Sequence, residues 1–128
     1  MIVLKLLLDT NIVLWTAVTS KRLSREAKRI IERAESVHVS SVSIWEIGTK
    51  VALGKLEIDV DDLLGSLSDR NFEQLPVTWE HARVFSWLPL HHRDPFDRML
   101  VAQAMSEPLI LLTHDETLSA YGDIVRVA

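Results

Sequence analysis

Short, nearly continuous apolar runs separated by helical patterns are the feature that most restricts how this chain can fold. Runs of strand length occur at Ile2–Leu8, Val37–Val39, Phe72–Val77, Leu109–Leu112 and Ile124–Val127. The first and the fourth run have almost no polar interruption, which is typical of strands buried on both faces of a parallel sheet. We therefore predict that these two runs form central strands.

Helical patterns lie between the strand-like runs. Apolar residues at helical spacing accompany a candidate cap residue in two places, Leu23, Ala27, Ile30 and Ala34 around Ser24, and Trp79, Ala82, Val84 and Phe85 after Thr78. The stretch Leu53–Asp69 is interrupted by Gly54 and Gly65, and we predict two short helices there. Alternating strands and helices without an Asn-Gly hairpin signal favour right-handed crossovers. The predicted fold class is α/β, a three-layer α/β/α domain around a central parallel sheet.

Composition indicates one domain and excludes several kinds of site. A chain of 128 residues that is 48% hydrophobic can bury one continuous core, so we assign residues 1–128 to a single domain. The absence of cysteine excludes disulfides and thiolate sites. The first apolar run contains Lys5 and stops at Asp9, so we interpret it as a strand and expect a cytoplasmic protein. The net charge of −4 gives no overall attraction to nucleic acid, so any contact with a polyanion would have to come from local basic groups or bound metal.

Acidic residues follow both predicted central strands. Asp9 ends the first strand directly, and Asp115 comes shortly after the fourth. Ligands of open parallel sheets bind outside the carboxyl ends of the strands, so these carboxylates meet if the two strands are neighbours. Glu46 and the pair Asp94 and Asp97 lie on predicted helices and could join them, since a spacing of three puts the pair on one helical face.

A carboxylate cluster of this kind predicts metal-assisted hydrolysis of phosphodiester bonds. Hard divalent cations prefer carboxylate oxygen, and Mg²⁺ keeps several waters that can serve as nucleophile. Without a cation, the packed like charges would raise each other's pKa and destabilise the fold. This unfavourable packing is a reason to infer Mg²⁺ or Mn²⁺ as cofactor.

Each acid also has an ordinary structural explanation. Asp9, Asp94 and Asp115 each precede a predicted helix, and Asp is a favoured N-cap residue. Glu46 can be a solvated helical side chain paired with Lys50. Spacing alone therefore leaves a metal site and a set of unrelated caps both open.

At these acids the sequence resembles PIN-domain nucleases, specifically VapC-like toxins of type II toxin–antitoxin systems. Four stretches resemble the acidic motifs of the family, in order along nearly the whole chain: LLLDTNIVLW, SVSIWEIGTKVALGKL, HRDPFDRMLVAQA and LLTHDETL. The third is the most specific. The resemblance implies a metal-dependent endoribonuclease that hydrolyses RNA with an activated water, together with a cognate antitoxin and a homodimer.

The resemblance also implies roles for individual residues. The implied catalytic residues and ligands of Mg²⁺ or Mn²⁺ are Asp9, Glu46, Asp97 and Asp115, the last holding a second metal or a water. Asn11 and Thr113 would orient the carboxylates. Asp94 is secondary because a capping role already explains it, and His92 has the same status.

Basic residues near the motifs are candidates for phosphate contacts. Arg98 and Lys50 each lie within one helical turn of a proposed ligand, and we predict that they contact phosphate. A basic stripe is formed by Arg22, Arg25, Arg29 and Arg33, with Glu26, Glu32 and Glu35 interleaved. Ion pairs within that helix are the favoured interpretation of the stripe, and RNA binding is the alternative.

Large aromatic residues and histidines beside the motifs have simpler interpretations. We predict that Trp15 and Trp45 pack in the core, with a partner surface as the alternative. The adjacent His91 and His92 point in different directions, so a zinc site is disfavoured.

Two other functions fit the same acids. A phosphatase of the haloacid dehalogenase type also begins with Asp after strand one, but it requires Asp-x-Asp, and Asn11 occupies the second place. A non-catalytic regulatory or scaffold domain could use the acidic pocket without cleaving RNA. Metal-dependent cleavage of RNA would separate these classes.

Overall fold

A computed structural model of the protein describes residues 3–128. The strands are β1 (Lys5–Leu8), β2 (Ser36–Ser40), β3 (Glu73–Leu75), β4 (Ile110–Thr113) and β5 (Val125–Val127). The helices are α1 (Thr10–Ala17), α2 (Arg25–Arg33), α3 (Ser41–Ala52), α4 (Val60–Asp69), α5 (Trp79–Ser86) and α6 (Pro95–Ser106), with a 3₁₀ helix at Glu116–Tyr121. All strand pairs are parallel, in the order β3-β2-β1-β4-β5. Helices cover the sheet on both sides, which confirms the predicted three-layer α/β/α architecture.

β1 and β4 lie side by side near the middle of the sheet, as their continuous apolar sequences predicted. Leu7 is in register with Leu111, and both are fully buried. Leu6, Leu8 and Leu112 belong to one hydrophobic cluster, whereas Leu7 and Leu111 belong to the cluster on the other face. Burial on both faces explains why these strands carry no polar alternation.

All five predicted strands form, with different limits. Ile2, at the start of the first predicted strand, lies outside the described residues. The run Phe72–Val77 forms only the short edge strand Glu73–Leu75. The caps predicted at Ser24 and Thr78 are confirmed, because their side chains accept hydrogen bonds from the backbone N–H groups of α2 and α5.

The prediction of two short helices within Leu53–Asp69 is wrong. The stretch contains one helix, Val60–Asp69, and Gly65 lies inside it without breaking it. Asp59 caps its start, and the burial of Leu63 and Leu67 outweighs the low helix propensity of glycine. Gly54 adopts φ +73° just after α3, a left-handed conformation that suits glycine and ends that helix.

Trp45 is the main departure from the predicted core. It is 67% exposed, whereas Ile47 on the same helix is 1% exposed and belongs to the core. Residues two apart on a helix point in different directions, so burial of Ile47 turns Trp45 outward. Trp15 is partly buried against the core and packs edge-on against His114. No helix within residues 3–128 has the length and apolar character needed to cross a bilayer.

Candidate active site

The carboxyl ends of β1 and β4 bring Asp9 and Asp115 to one edge of the sheet. Asp9 is buried, and its two oxygens accept hydrogen bonds from Thr10 N, at 2.7 Å, and from Thr113 Oγ1, at 2.6 Å. Thr113 Oγ1 also accepts from Asp115 N at 3.0 Å. Thr113 therefore links the two acidic positions, and its hydroxyl contacts the carboxylate that the resemblance implied it would orient.

Glu46 reaches the same site from α3. Glu46 is buried, and its Oε2 lies 3.1 Å from Lys50 Nζ. The ion pair with Lys50 that the sequence suggested is therefore formed. Its other oxygen, Oε1, is also buried and has no hydrogen-bond partner among residues 3–128. A buried carboxylate oxygen left unsatisfied is unfavourable unless another group binds it.

A buried contact that the sequence analysis missed ties α1 to α3. Thr10 Oγ1 donates to Ser43 Oγ at 3.0 Å, and Ser43 is fully buried. Ser43 precedes Glu46 by three residues, which places both on one face of α3. That spacing was the only sequence signal for its position beside the site.

Asp94 and Asp97 stand at the start of α6. Asp94 is the N-cap, because its Oδ1 accepts from the backbone N–H groups of Phe96 and Asp97 at 2.8 and 3.3 Å. Burial, followed by the carboxylates of Asp9, Asp94, Glu46 and Asp115, raises the pKa of Asp97 to about 8. The carboxylates that the four motifs supply thus lie close enough to act on one another electrostatically.

The pKa values of Asp9 and Asp115 are shifted in opposite directions. Burial raises the pKa of Asp9, against the opposing effect of its hydrogen bonds to Thr113 and Thr10, and the charges of Glu46 and Asp115 add to the rise. The pKa of Asp115 is lowered, chiefly because Thr117 Oγ1 donates to it at 2.7 Å. Asp115 therefore stays ionised more readily than Asp9 and Asp97.

His92 lies between Asp97 and Asp115. Its Nε2 is 3.7 Å from Asp97 Oδ2 and 3.4 Å from Asp115 Oδ2. Its Nδ1 accepts a hydrogen bond from the backbone N–H of Asp94 at 3.2 Å. A neutral imidazole that accepts at Nδ1 carries its proton on Nε2, whereas a histidine ligand usually donates its second nitrogen to an acceptor. In this arrangement His92 Nε2 faces both carboxylates, and its ligand atom and theirs lie within 4.8 Å of one another.

The residues present fit a hard divalent cation. The donor set consists of carboxylate oxygens, which Mg²⁺ and Mn²⁺ prefer. The unpartnered Glu46 Oε1 and the mutual repulsion felt by Asp97 are the conditions that a cation would relieve. Within residues 3–128, ligand atoms of His92, Asp97 and Asp115 also lie within 4.8 Å of one another, close enough to share one ion.

Asn11, Arg98 and Lys50, which were predicted to support the site, differ in what their side chains contact. Asn11 is exposed on α1, and its side chain makes no hydrogen bond within residues 3–128. Arg98 Nη2 donates to Leu88 O at 3.1 Å, and the guanidinium carbon lies 4.7 Å from the centre of the Phe85 ring, so its contact with phosphate stays a prediction. Lys50 is occupied by Glu46 but half exposed, so it stays available to phosphate.

The raised pKa of Asp97 predicts how the stability of the metal-free protein depends on pH. The folded state holds a proton that the unfolded chain has already lost between about pH 4 and 8, so stability falls as pH rises through this window. We expect a loss of about 1–3 kcal/mol between pH 5.5 and 8, allowing for solvent screening at the site. Thermal melts in EDTA at both pH values measure it.

Asp97→Asn provides the control for this pH effect. The variant cannot ionise at position 97, so its melting temperature in EDTA should change much less between the two pH values. An exposed acid, Asp123, replaced by Asn should leave the wild-type pH dependence intact. Greater stability of the metal-free wild type at pH 8 than at pH 5.5 would contradict the prediction.

Comparison with known proteins adds a family and several relatives. The sequence model of one protein family, described as PIN domain, matches residues 6–124. Ribonuclease VapC22 of Mycobacterium tuberculosis is 26% identical over 118 residues, which cover 90% of each chain.

Solved structures share this fold at low sequence identity. VapBC2 from Rickettsia felis, bound to a DNA fragment from its promoter, superposes with a TM-score of 0.70 at 12% identity and 96% coverage of both chains. VapBC-5 from M. tuberculosis, described as a member of a family of toxin–antitoxin systems, superposes with a TM-score of 0.59 at 25% identity and 94% coverage of both.

Proposed function

This chain belongs to the PIN-domain family, and from that premise we propose that it is a metal-dependent endoribonuclease, the toxin of a toxin–antitoxin pair. The observation that carries the proposal is that Asp9, Glu46, Asp97 and Asp115 lie within electrostatic reach of one another, with Glu46 Oε1 buried and unpartnered within residues 3–128. The name of the relative Ribonuclease VapC22 supports the choice of RNA as substrate.

The same four carboxylates would hold Mg²⁺ or Mn²⁺. Such a cation, when bound, supplies charge neutralisation at the phosphate and activation of water. Thr113 keeps Asp9 in position through its 2.6 Å hydrogen bond, and Thr10 with Ser43 holds α1 against α3. These contacts fix the carboxylates on rigid elements, which keeps the site organised before substrate arrives.

The chain's own groups would then manage protons and charge during hydrolysis. Carboxylate oxygens of the cluster accept the proton of the attacking water, and the scissile P–O bond breaks as the water oxygen bonds to phosphorus. The leaving sugar oxygen takes up a proton from solvent water and becomes a hydroxyl group. His92 Nε2, placed as a donor, and Lys50 Nζ can offer hydrogen bonds to phosphate oxygens. Neither serine nor histidine is required as a nucleophile.

The direct test is cleavage of RNA by the purified protein in Mg²⁺. We expect single-stranded RNA to be cut internally and to remain intact when Asp9 is replaced by Asn. A well-folded wild-type protein that cuts no RNA in Mg²⁺ or Mn²⁺ but binds these ions would instead support the scaffold or regulatory function.

We also propose an antitoxin partner, a homodimer, and a cytoplasmic site of action on cellular RNA. Complexes described as VapBC or toxin–antitoxin are among the proteins that share this fold. The apolar residue Trp45, 67% exposed, lies next to Glu46 in the chain, so a protein that covers it would also restrict access to the acids. An inserted arginine of the partner could pair with those carboxylates.

Co-expression tests the partner. Expression of the protein alone is expected to slow growth, and co-expression with a small neighbouring gene should restore growth and yield a complex that lacks RNase activity. Size-exclusion chromatography and an RNase assay on the purified complex measure both effects. If the wild type does not slow growth more than Asp9→Asn, the toxin assignment fails even when RNA cleavage is observed.

A further inference from the structure

Positive charge is concentrated in one short segment of a chain that is otherwise strongly acidic. Residues 21–33 contain six basic and two acidic side chains. The rest of the chain holds eight of the fourteen basic and sixteen of the eighteen acidic residues. The segment, which includes α2, therefore carries +4 against −8 elsewhere.

The ion pairs expected within α2 do not form. Glu26 Oε1 pairs with Arg126 of β5 at 3.0 Å, and Glu35 lies 4.0 Å from Lys5 of β1. Within residues 3–128, no carboxylate lies within salt-bridge distance of the basic side chains of residues 21–33. The favoured interpretation of the basic stripe is therefore wrong, and its charges are free to act on a ligand.

These charges line grooves on both sides of α2. One groove, with a volume of about 480 Å³, contains Arg29 and Arg33, together with the ion pair of Arg126 and Glu26. The other, of about 340 Å³, contains Lys21, Arg25, Lys28 and Arg70 with one carboxylate, Glu32, and the hydroxyl residues Thr16, Thr19 and Ser20. In both grooves the basic side chains outnumber the acidic ones. Arginine, lysine and hydroxyl groups are the side chains that contact phosphate oxygens.

The acidic site itself creates a need for such a surface. Its carboxylates repel a polyanion, and the net charge of the protein adds no attraction. Thr16, which lines the second groove, stands on α1 seven residues after Asp9, a distance of roughly 10 Å along the helix. An RNA strand bound in this groove is thus only a few nucleotides away from the carboxylates.

We propose that α2 and its two flanking grooves bind the sugar-phosphate backbone of the RNA substrate outside the acidic site. The inference rests on the proposed ribonuclease function and extends it with a capture surface. Contacts to phosphate carry no sequence information, so the surface raises affinity for RNA of any sequence and depends strongly on salt.

The test measures binding separately from cleavage. In Asp9→Asn protein with Mg²⁺, fluorescence anisotropy gives the affinity for a labelled single-stranded RNA of sixteen nucleotides at several salt concentrations. Two charge-neutralised variants are compared, Arg25→Gln with Lys28→Gln, and Arg29→Gln with Arg33→Gln. All four residues are exposed and glutamine is a good helix former, so the variants should fold normally.

A matched control removes two charges elsewhere. Lys55→Gln with Arg83→Gln changes the net charge equally but touches neither groove. Each α2 variant should bind RNA about tenfold more weakly than the parent. The slope of log K against the logarithm of salt concentration should also become shallower by about 1.4, because two phosphate contacts to a single strand are lost. The control should stay within about twofold of the parent.

The outcomes distinguish this inference from the proposed function. If wild-type protein cuts RNA but both α2 variants keep the parent affinity and salt dependence, the capture surface is refuted and the nuclease assignment stands. If the control weakens binding as much as the α2 variants, the effect is one of net charge and the inference also falls. Wild-type protein that neither cuts nor binds RNA refutes both. If the α2 variants bind RNA like the parent but no longer co-purify with a co-expressed acidic protein that the parent binds, α2 is a protein interface instead.

Discussion

Replacing Asp9 by Asn is expected to lower the rate of RNA cleavage by about 10²–10³-fold or more, the size of effect seen when one preorganised electrostatic group is removed. The amide keeps the size of the side chain and can still accept the hydrogen bond from Thr113 or Thr10. The substitution removes the negative charge that a cation requires of this ligand. Single-turnover cleavage of a labelled RNA measures the loss, and circular dichroism verifies the fold.

Substitutions in α6 provide the comparison. Asp97→Asn should be about as severe as the change at Asp9, whereas Asp94→Asn should retain most activity, because Asn caps a helix about as well as Asp. Equal loss at the two positions would identify Asp94 as a ligand. Wild-type activity of Asp9→Asn would refute the assignment of the site.

Removal of divalent cations is expected to have the second large effect. Excess EDTA should reduce cleavage to background, and Mg²⁺ or Mn²⁺ should restore it. Ca²⁺ should restore it poorly because its longer and less regular coordination positions water less well. The measurement is cleavage rate against metal concentration in protein freed of metal, and full activity in excess EDTA would contradict metal dependence.

Metal should also stabilise the folded protein, which gives a readout independent of cleavage. A ligand that binds only the folded state adds stability by mass action, about 2.7 kcal/mol at a concentration one hundred times its Kd. Melting temperature should therefore rise with Mg²⁺ concentration, and less so in Asp97→Asn protein. The two readouts together separate loss of binding from loss of chemistry.

Much of the fold was predictable because periodicity depends on local backbone geometry. The continuous runs ending at Leu8 and Leu112 predicted strands buried on both faces, and these became the adjacent β1 and β4. Ser24 and Thr78 predicted helix starts for the same local reason. Gly65 was misleading because the packing of Leu63 and Leu67 outweighs its low helix propensity.

By itself, the sequence determined the order of strands and helices along the chain and which strands are buried in the middle of the sheet. It also determined where acids follow strands or begin helices. Only the tertiary structure decided which partners the side chains have. It brings Glu46 beside Asp9 with one oxygen unsatisfied, turns Arg98 toward Leu88, and pairs Glu26 with Arg126 instead of its own helix. The reason is physical: helix and strand periods arise from neighbouring residues, whereas the partner of a charged group is selected by competition among groups that only folding brings together.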